Sequence, residues 1–351
     1  MQTKLVHISS PKDLTVLDEA AHIIRAGGLV AFPTETVYGL GANALDPEAV
    51  AKIFLAKGRP GDNPLIVHIA RVEELTSLVK EVPTAAEVLI EHFWPGPLTL
   101  ILPKQDHIPA QTTAGLETVA VRMPAHPVAL ALIDLAGVPI AAPSANLSGK
   151  PSPTTAQHVY TDLVGRIDMV IDGGSTDVGV ESTVLDITAD PPVLLRPGGV
   201  TVEDLREFLP AVKVDESIET ALSTGDYKPR SPGMKYTHYA PDAEVTVVEG
   251  PVEAVQAKIK ELAALYRSQG LKVGIMATDE TAAAYKEGEV LVVGARDALA
   301  SVAANLYDCF RRFNQRKVDL ILAEGFDAMG LGLAIMNRLR RAAGYRIVKV
   351  G

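Results

Sequence analysis

Short apolar runs alternate with helix-length segments along almost the whole chain, and one polar stretch breaks the alternation. Runs rich in Val, Ile and Leu bury themselves as strands. Longer stretches that open on a capping residue and stop at glycine close as helices. "GLVAFPTETV" reads as a strand running into a loop. "DPEAVAKIFLAKG" reads as a helix with Asp46 as N-cap, Pro47 at its first position and Gly58 as its stop. Strand-like "PLIVHIA", "LTLILP", "TVAVRMP", "VPIAAPS", "DMVIDGG", "STVLDI" and "PVLLRPGG" follow, with helical "HPVALALIDLAG" and "TTAQHVYTDLVG" among them. Such a pattern predicts an α/β fold.

Composition shifts between Val212 and Pro241. "VDESIETALSTGDYKPR" is polar, as a linker is, but "SPGMKYTHYAP" sets Met234, Tyr236, His238 and Tyr239 between prolines, which a mere tether does not need. Beyond it, "AEVTVVEG", "KVGIMAT", "VLVVGA" and "VDLILAEG" alternate with helical segments, the order of a small parallel, Rossmann-like sheet. The expected division is a domain over 1–211, a linker or lid over 212–241 and a second domain over 242–351. A chain of 351 residues suits two cores, since one rarely grows past ~250–300 residues. With 47% hydrophobic residues but only 5% aromatics, those cores must be built from aliphatic side chains.

No apolar run reaches the ~20 residues of a membrane span. "MQTKLVHISSPKDL" has neither a signal peptide's apolar region nor an Arg-rich transit pattern. A lone Cys309 excludes an internal disulfide, which fits a reducing compartment. The expectation is a soluble, cytoplasmic protein. A net charge of −10 disfavours a protein whose affinity rests on neutralising phosphates. Cations cluster only in "FRRFNQRK" and "NRLRRAAGYRIVK", which read as a solvated helix face in preference to an RNA-contacting patch.

Two tempting signatures fail. "GLGANA" matches a dinucleotide fingerprint in letters, but it follows a Pro- and Thr-rich loop, and Asp62, the acidic residue at the right spacing, sits in another polar loop. "SANLSGKPS" has Ser144 where a phosphate loop needs glycine and Pro151 where it needs Ser or Thr. No Cys or His spacing suggests a protein-held metal, and no G-x-S-x-G elbow organises a nucleophile.

Polar residues at strand ends and in loops remain. Lys57 and Arg59 flank Gly58, and Pro60 pushes Arg59 towards extended backbone. Alternation along an extended segment would send both cations to one side, as a seat for polyphosphate; the other reading is a polar surface turn. Ser144 and Asn146 repeat that spacing after the apolar "VPIAA", where they would bind oxygens of phosphate or ribose or make an ordinary turn. Arg122 and Arg196 each end an apolar strand, a costly place for a cation unless it meets an anion. His68 in "LIVHIA" reads first as a core histidine. Glu181, Ser182 and Thr183 follow the Gly-rich "DGGSTDVGV", which suits close backbone approach to a small ligand.

The segments "FPTETVYGLG", "KGRP", "NPLIVHI", "WPGPLT", "VRMP", "APSANLSG", "GVEST" and "LLRPG" resemble the YrdC-type L-threonylcarbamoyladenylate synthases. The tail from "SPGMKYTHYAP" is similar to that of the family's long, two-domain form, so the resemblance covers nearly the whole chain. It implies a twisted mixed-sheet domain, a linker and a smaller Rossmann-like α/β domain. It also implies synthesis of threonylcarbamoyl-AMP from L-threonine, bicarbonate and ATP with release of pyrophosphate. Partner proteins would then transfer the group to tRNA; direct tRNA binding by this chain would be weak or absent. Carried over by position, Lys57, Arg59, Ser144 and Asn146 would handle the phosphates and the carbamate. Asn63, Thr118, Ser152, Arg196 and Tyr236 would also hold ATP. Thr34, His68, Arg122, Ser182 and the backbone of Ala142 would hold threonine, with Thr36 as the alternative to Thr34.

The resemblance gives the paired cations a purpose. A carbamate oxygen attacking the α-phosphorus of ATP brings anion to anion, and fixed cations in a dry site offset that repulsion without a proton-transfer residue. Mg2+ would ride on ATP oxygens and water, since no carboxylate cluster forms a cage. Carbamoyl transfer, as in hydrogenase-maturation proteins that share this domain, needs a cysteine-rich zinc region that one cysteine excludes. A double-stranded RNA-binding module is the non-enzymatic alternative, and the acidic balance disfavours it.

Overall fold

The computed structural model describes residues 2–8, 10, 12–218 and 239–351. Two compact units emerge, Met1–Ser148 with Ser152–Lys235, and Gly149–Pro151 with Tyr236–Gly351. Helix ends in the first unit follow from local chemistry. The Pro47–Lys57 helix opens on Asp46, whose side chain accepts from the Glu48 amide at 2.9 Å. It closes on Gly58 at φ 61°, a left-handed conformation that costs glycine little. The Pro127–Ala136 helix is built alike, with the His126 ring accepting from the Val128 amide and Gly137 as its stop.

The first sheet has 11 strands. They are β1 (Lys4–His7), β2 (Val30–Phe32), β3 (Gly39–Asn43), β4 (Ile66–His68), β5 (Leu98–Pro103) and β6 (Thr118–Arg122). Then come β7 (Ile140–Ala141), β8 (Met169–Asp172), β9 (Thr183–Asp186), β10 (Val193–Arg196) and β11 (Lys213–Val214). Their order is β1-β8-β2-β3-β7-β4-β6-β5-β9-β10-β11, with parallel pairs such as β4–β6 beside antiparallel ones such as β5–β6. β2, β4 and β9 are buried at every residue, which is why they read as unbroken apolar runs and not as alternations. The run "GLGANA", set aside as a nucleotide fingerprint, supplies β3 instead of a phosphate loop.

The main core of this unit packs α1 (Leu14–Arg25) and the helix of Pro127–Ala136 against the sheet. Leu17, Ile24, Leu132 and Ile133 meet Phe32, Ile140, Met169 and Ile171 there.

The second unit holds β12 (Glu244–Glu249), β13 (Val273–Ala277), β14 (Glu289–Val292), β15 (Leu320–Glu324) and β16 (Ile347–Lys349), all parallel, in the order β14-β13-β15-β12-β16. The Rossmann-like expectation holds. The last strand was not expected, because "RIVK" is short and follows an arginine-rich run. The basic tail also differs from a solvated face: Arg338 is fully buried, and Arg311 and Arg341 are 7% and 8% exposed. Arg340 makes a two-pronged ion pair with Glu249 at the end of β12. Among the described residues no helix is long and apolar enough to cross a membrane.

Leu132 is fully buried in the main core, whereas Leu55 is 76% exposed. Leu132→Ala should therefore cost about 2–5 kcal/mol of stability in denaturant unfolding, and Leu55→Ala less than about 0.5 kcal/mol.

Candidate active site

One face of the first sheet carries a small apolar cluster of Ile66, Ile101, Ala120, Val184 and Leu195. Residues two apart on a strand share a face, so that face continues through His68 on β4 and Arg122 on β6. The ladders line up neighbours from three more strands beside these two: His68 pairs with Arg122, Val184 with both Thr99 and Arg196, and Thr183, just after Ser182, with Leu98. A floor of aliphatic side chains thus ends in a row of polar ones.

Arg122 is 3% exposed. Its Nε donates to the Gly96 carbonyl at 3.2 Å and its Nη1 to Thr36 Oγ1 at 3.0 Å. Nη2 lies 2.6 Å from Glu35 Oε1. That approach is an ion pair by distance but is misaligned as a hydrogen bond, since Nη2 and both Glu35 oxygens lack a hydrogen-bond partner. The buried charge is balanced while hydrogen-bonding capacity is left over. Sequence reasoning missed Glu35; the signal was a carboxylate between two threonines in a stretch that is otherwise apolar.

The two threonines have separate tasks. Thr34 Oγ1 donates to the Val37 carbonyl at 2.6 Å and accepts from the amides of Thr36 and Val37. Its one proton is spent, so the 2.9 Å contact between the hydroxyls is donated by Thr36. Thr34 closes the loop, and Thr36 faces the arginine. His68 is 3% exposed. Burial first, and the neighbouring Arg122 charge second, push its pKa down to about 3, so the ring is neutral at ordinary pH. The Ala142 amide donates to the Ile66 carbonyl at 2.9 Å, which pins that segment beside β4.

Next along the row, Ser182 Oγ meets Thr99 Oγ1 at 2.8 Å and accepts from Arg196 Nη2 at 3.0 Å. Arg196 Nε donates to the Ser182 carbonyl, and Ser152 donates a short hydrogen bond to Glu181. Gly198 is required here: a Cβ would lie 2.3 Å from the Thr183 nitrogen and 2.4 Å from the Glu181 carbonyl.

Lys57 is the last residue of its helix and is 3% exposed. Its Nζ donates to the carbonyls of Ser144 and Asn146, while Ser144 Oγ donates to Asn146 Oδ1 at 2.6 Å. These three expected residues come together. Lys57 and Arg59 do not alternate along an extended segment, because Gly58 turns left-handed between them. Arg59 instead reaches the Asn63 carbonyl at 3.4 Å and stacks over Phe54. Thr118 stands at the far end of β6 from Arg122, about 13 Å away at the usual strand rise. Tyr236 lies outside the described residues. Among the described residues, no group of three or more His, Cys, Asp or Glu could hold a metal ion.

The site combines buried cations, hydroxyl and amide groups and a neutral imidazole, side chains with the chemistry to bind anions and a small polar molecule. Residues 22–198 match the Sua5–YciO–YrdC family, described as "Telomere recombination". Residues 200–344 match "Threonylcarbamoyl-AMP synthase, C-terminal domain". The threonylcarbamoyl-AMP synthase of Pyrococcus abyssi is 55% identical, over 94% of this chain and 95% of its own. The one from Bacillus subtilis is 53% identical, over 99% and 100%. The crystal structure of P. abyssi Sua5 complexed with L-threonine superposes with a TM-score of 0.93 at 52% identity, covering 99% of this chain and 100% of that one.

The folded pKa of His68 lies below its ordinary 6.5. Protons therefore bind the unfolded chain in preference, and stability that is full above pH 6.5 drains as pH falls towards about 3. NMR of the ring should show His68 flat between pH 8 and 5, and a midpoint near 6.5 would refute its burial.

Proposed function

We infer the activity from kinship and site together: the chain belongs to the threonylcarbamoyl-AMP synthases of the Sua5–YciO–YrdC family. It joins L-threonine, bicarbonate and ATP into L-threonylcarbamoyl-AMP and releases pyrophosphate, the nucleotidyl transfer that begins threonylcarbamoyladenosine formation in tRNA. The observation that carries this reading into the site is a pair of buried cations, Lys57 and Arg122, each 3% exposed in one unit.

Threonine's amine attacks CO2 to give a carbamate. A carbamate oxygen then attacks the α-phosphorus of ATP, and pyrophosphate leaves. Charge repulsion dominates the barrier, so cations already in place lower it most. Lys57 suits that work because two backbone carbonyls hold its ammonium where the helix ends. In our assignment Lys57, Arg59, Ser144 and Asn146 bind the phosphates and the carbamate, and Asn63, Thr118, Ser152, Arg196 and Tyr236 complete the ATP site. Arg122 takes the carboxylate of threonine, and His68, Ser182, the Ala142 carbonyl and one of Thr34 and Thr36 frame its side chain. The contact between Thr36 and Arg122 favours Thr36. The 13 Å separation of Thr118 from Arg122 along β6, at about 3.3 Å per residue, fits a nucleotide laid along the sheet with its adenosine away from the amino acid.

Mg2+ comes with ATP and is held by phosphate oxygens and water. The catalytic domain is 1–211, followed by the linker 212–241 and the Rossmann-like domain 242–351. The enzyme works in the cytoplasm and passes its product to threonylcarbamoyl-transfer proteins, with little direct contact to tRNA.

Pyrophosphate release should require ATP, threonine and bicarbonate together, and full release without threonine would refute the reaction. Lys57→Ala should lower turnover about 100- to 1,000-fold in a folded protein, the loss of one preorganised electrostatic contact. In calorimetry valine, which lacks the hydroxyl, should be rejected more strongly than serine, which lacks only a methyl; equal affinity for valine and threonine would contradict a hydroxyl-reading pocket.

A further inference from the structure

Glu35 is a buried carboxylate with capacity to spare. It is 8% exposed, its Oε1 lies 2.6 Å from Arg122 Nη2, and neither oxygen has a hydrogen-bond partner. Buried polar groups are nearly always satisfied, and an exception calls for an explanation, a ligand among them. Nor is the residue loosely held: its carbonyl accepts from the Val178 amide at 2.8 Å, and that of Thr36 from the Gly179 amide at 3.1 Å. The chain fixes the backbone and leaves the carboxylate open.

We propose that Glu35 receives the ammonium group of threonine and takes its proton as the carbamate forms. This rests on the reading that Arg122 binds the amino acid's carboxylate. A zwitterion then completes the arrangement, its carboxylate satisfying Arg122 Nη2 and its ammonium satisfying Glu35. Four charges alternate in sign, which is the pattern that makes a buried cluster affordable.

The chemistry calls for such a group. An ammonium has no lone pair, so it must lose a proton before nitrogen attacks carbon. One ammonium and one bicarbonate give one carbamate, one water and one proton, and that proton goes first to Glu35. The N–C bond forms as bicarbonate, dehydrated to CO2, gives up its third oxygen as water. Protonation of Glu35 also removes a negative charge beside the new carbamate, which would otherwise repel it. Among the described residues, the charged and titratable groups near Glu35 include Arg122, at the end of β6, His126, at the start of the following helix, and Asp177, which precedes the Val178 whose amide holds the Glu35 carbonyl. His126 feels the charges of both Glu35 and Asp177, though burial has the larger effect and lowers its pKa.

The test is calorimetry with two ligands, L-threonine and (R)-3-hydroxybutyrate, which is threonine without its amine. The natural protein should prefer threonine roughly 10- to 100-fold, the range for a hydrogen bond to a charged group. Glu35→Gln should lose about that factor for threonine and keep its affinity for the hydroxy acid. Its turnover should climb about tenfold per pH unit while solution supplies the deprotonated amine, and Glu35→Asp should restore a flatter profile. If Glu35→Gln weakens both ligands equally, Glu35 only positions Arg122 and the proposal fails. If it changes neither, the placement of the amino-acid pocket fails as well. Equal affinity of the natural protein for the two ligands overturns the proposal without any variant.

Discussion

The buried guanidinium of Arg122 is the constraint around which the catalytic unit is arranged. Several kcal/mol stand against an uncompensated ion in such a place. The chain offsets that cost with a carbonyl from Gly96, a hydroxyl from Thr36 and the carboxylate of Glu35. Thr36 and Glu35 belong to one segment and Gly96 to another, so the charge knits the "PTETV" loop, the "WPGPLT" turn and β6 into one wall. A hydrophobic residue of the same volume would pack there more cheaply. A charge retained at that cost is consistent with a substrate that needs it.

Lys57 is treated differently. Its ammonium rests on the backbone carbonyls of Ser144 and Asn146, which hold it in place at the end of its helix. A cation held by neutral dipoles keeps most of its field for an incoming phosphate, whereas one paired to a carboxylate loses it.

Much of this was legible in the residues. Asp46, Pro47 and Gly58 mark their helix because capping and left-handed stops are local chemistry, and the unbroken apolar runs mark strands covered on both faces. Strand order was not legible, since it depends on contacts between segments far apart in sequence. The stop at Gly58 was legible but its effect on the flanking cations was not: the left-handed turn separates Lys57 from Arg59, although their spacing suggested a shared side. β16 was hidden because its few apolar residues follow an arginine-rich run, and burial of Arg338 was hidden because a basic run reads as solvated. Glu35 escaped notice for a related reason: only the fold brings it to Arg122, 87 positions away.

The central claim is that the forked cation at 122 reads the carboxylate of threonine. Arg122→Lys keeps a charge for Glu35 but removes the fork, so calorimetry of threonine and of a non-hydrolysable ATP analogue isolates that feature. Threonine affinity should fall by about 10-fold or more, as expected for losing one charge-assisted hydrogen bond, with the nucleotide bound as tightly as before. Threonine bound equally well by the lysine variant would contradict it.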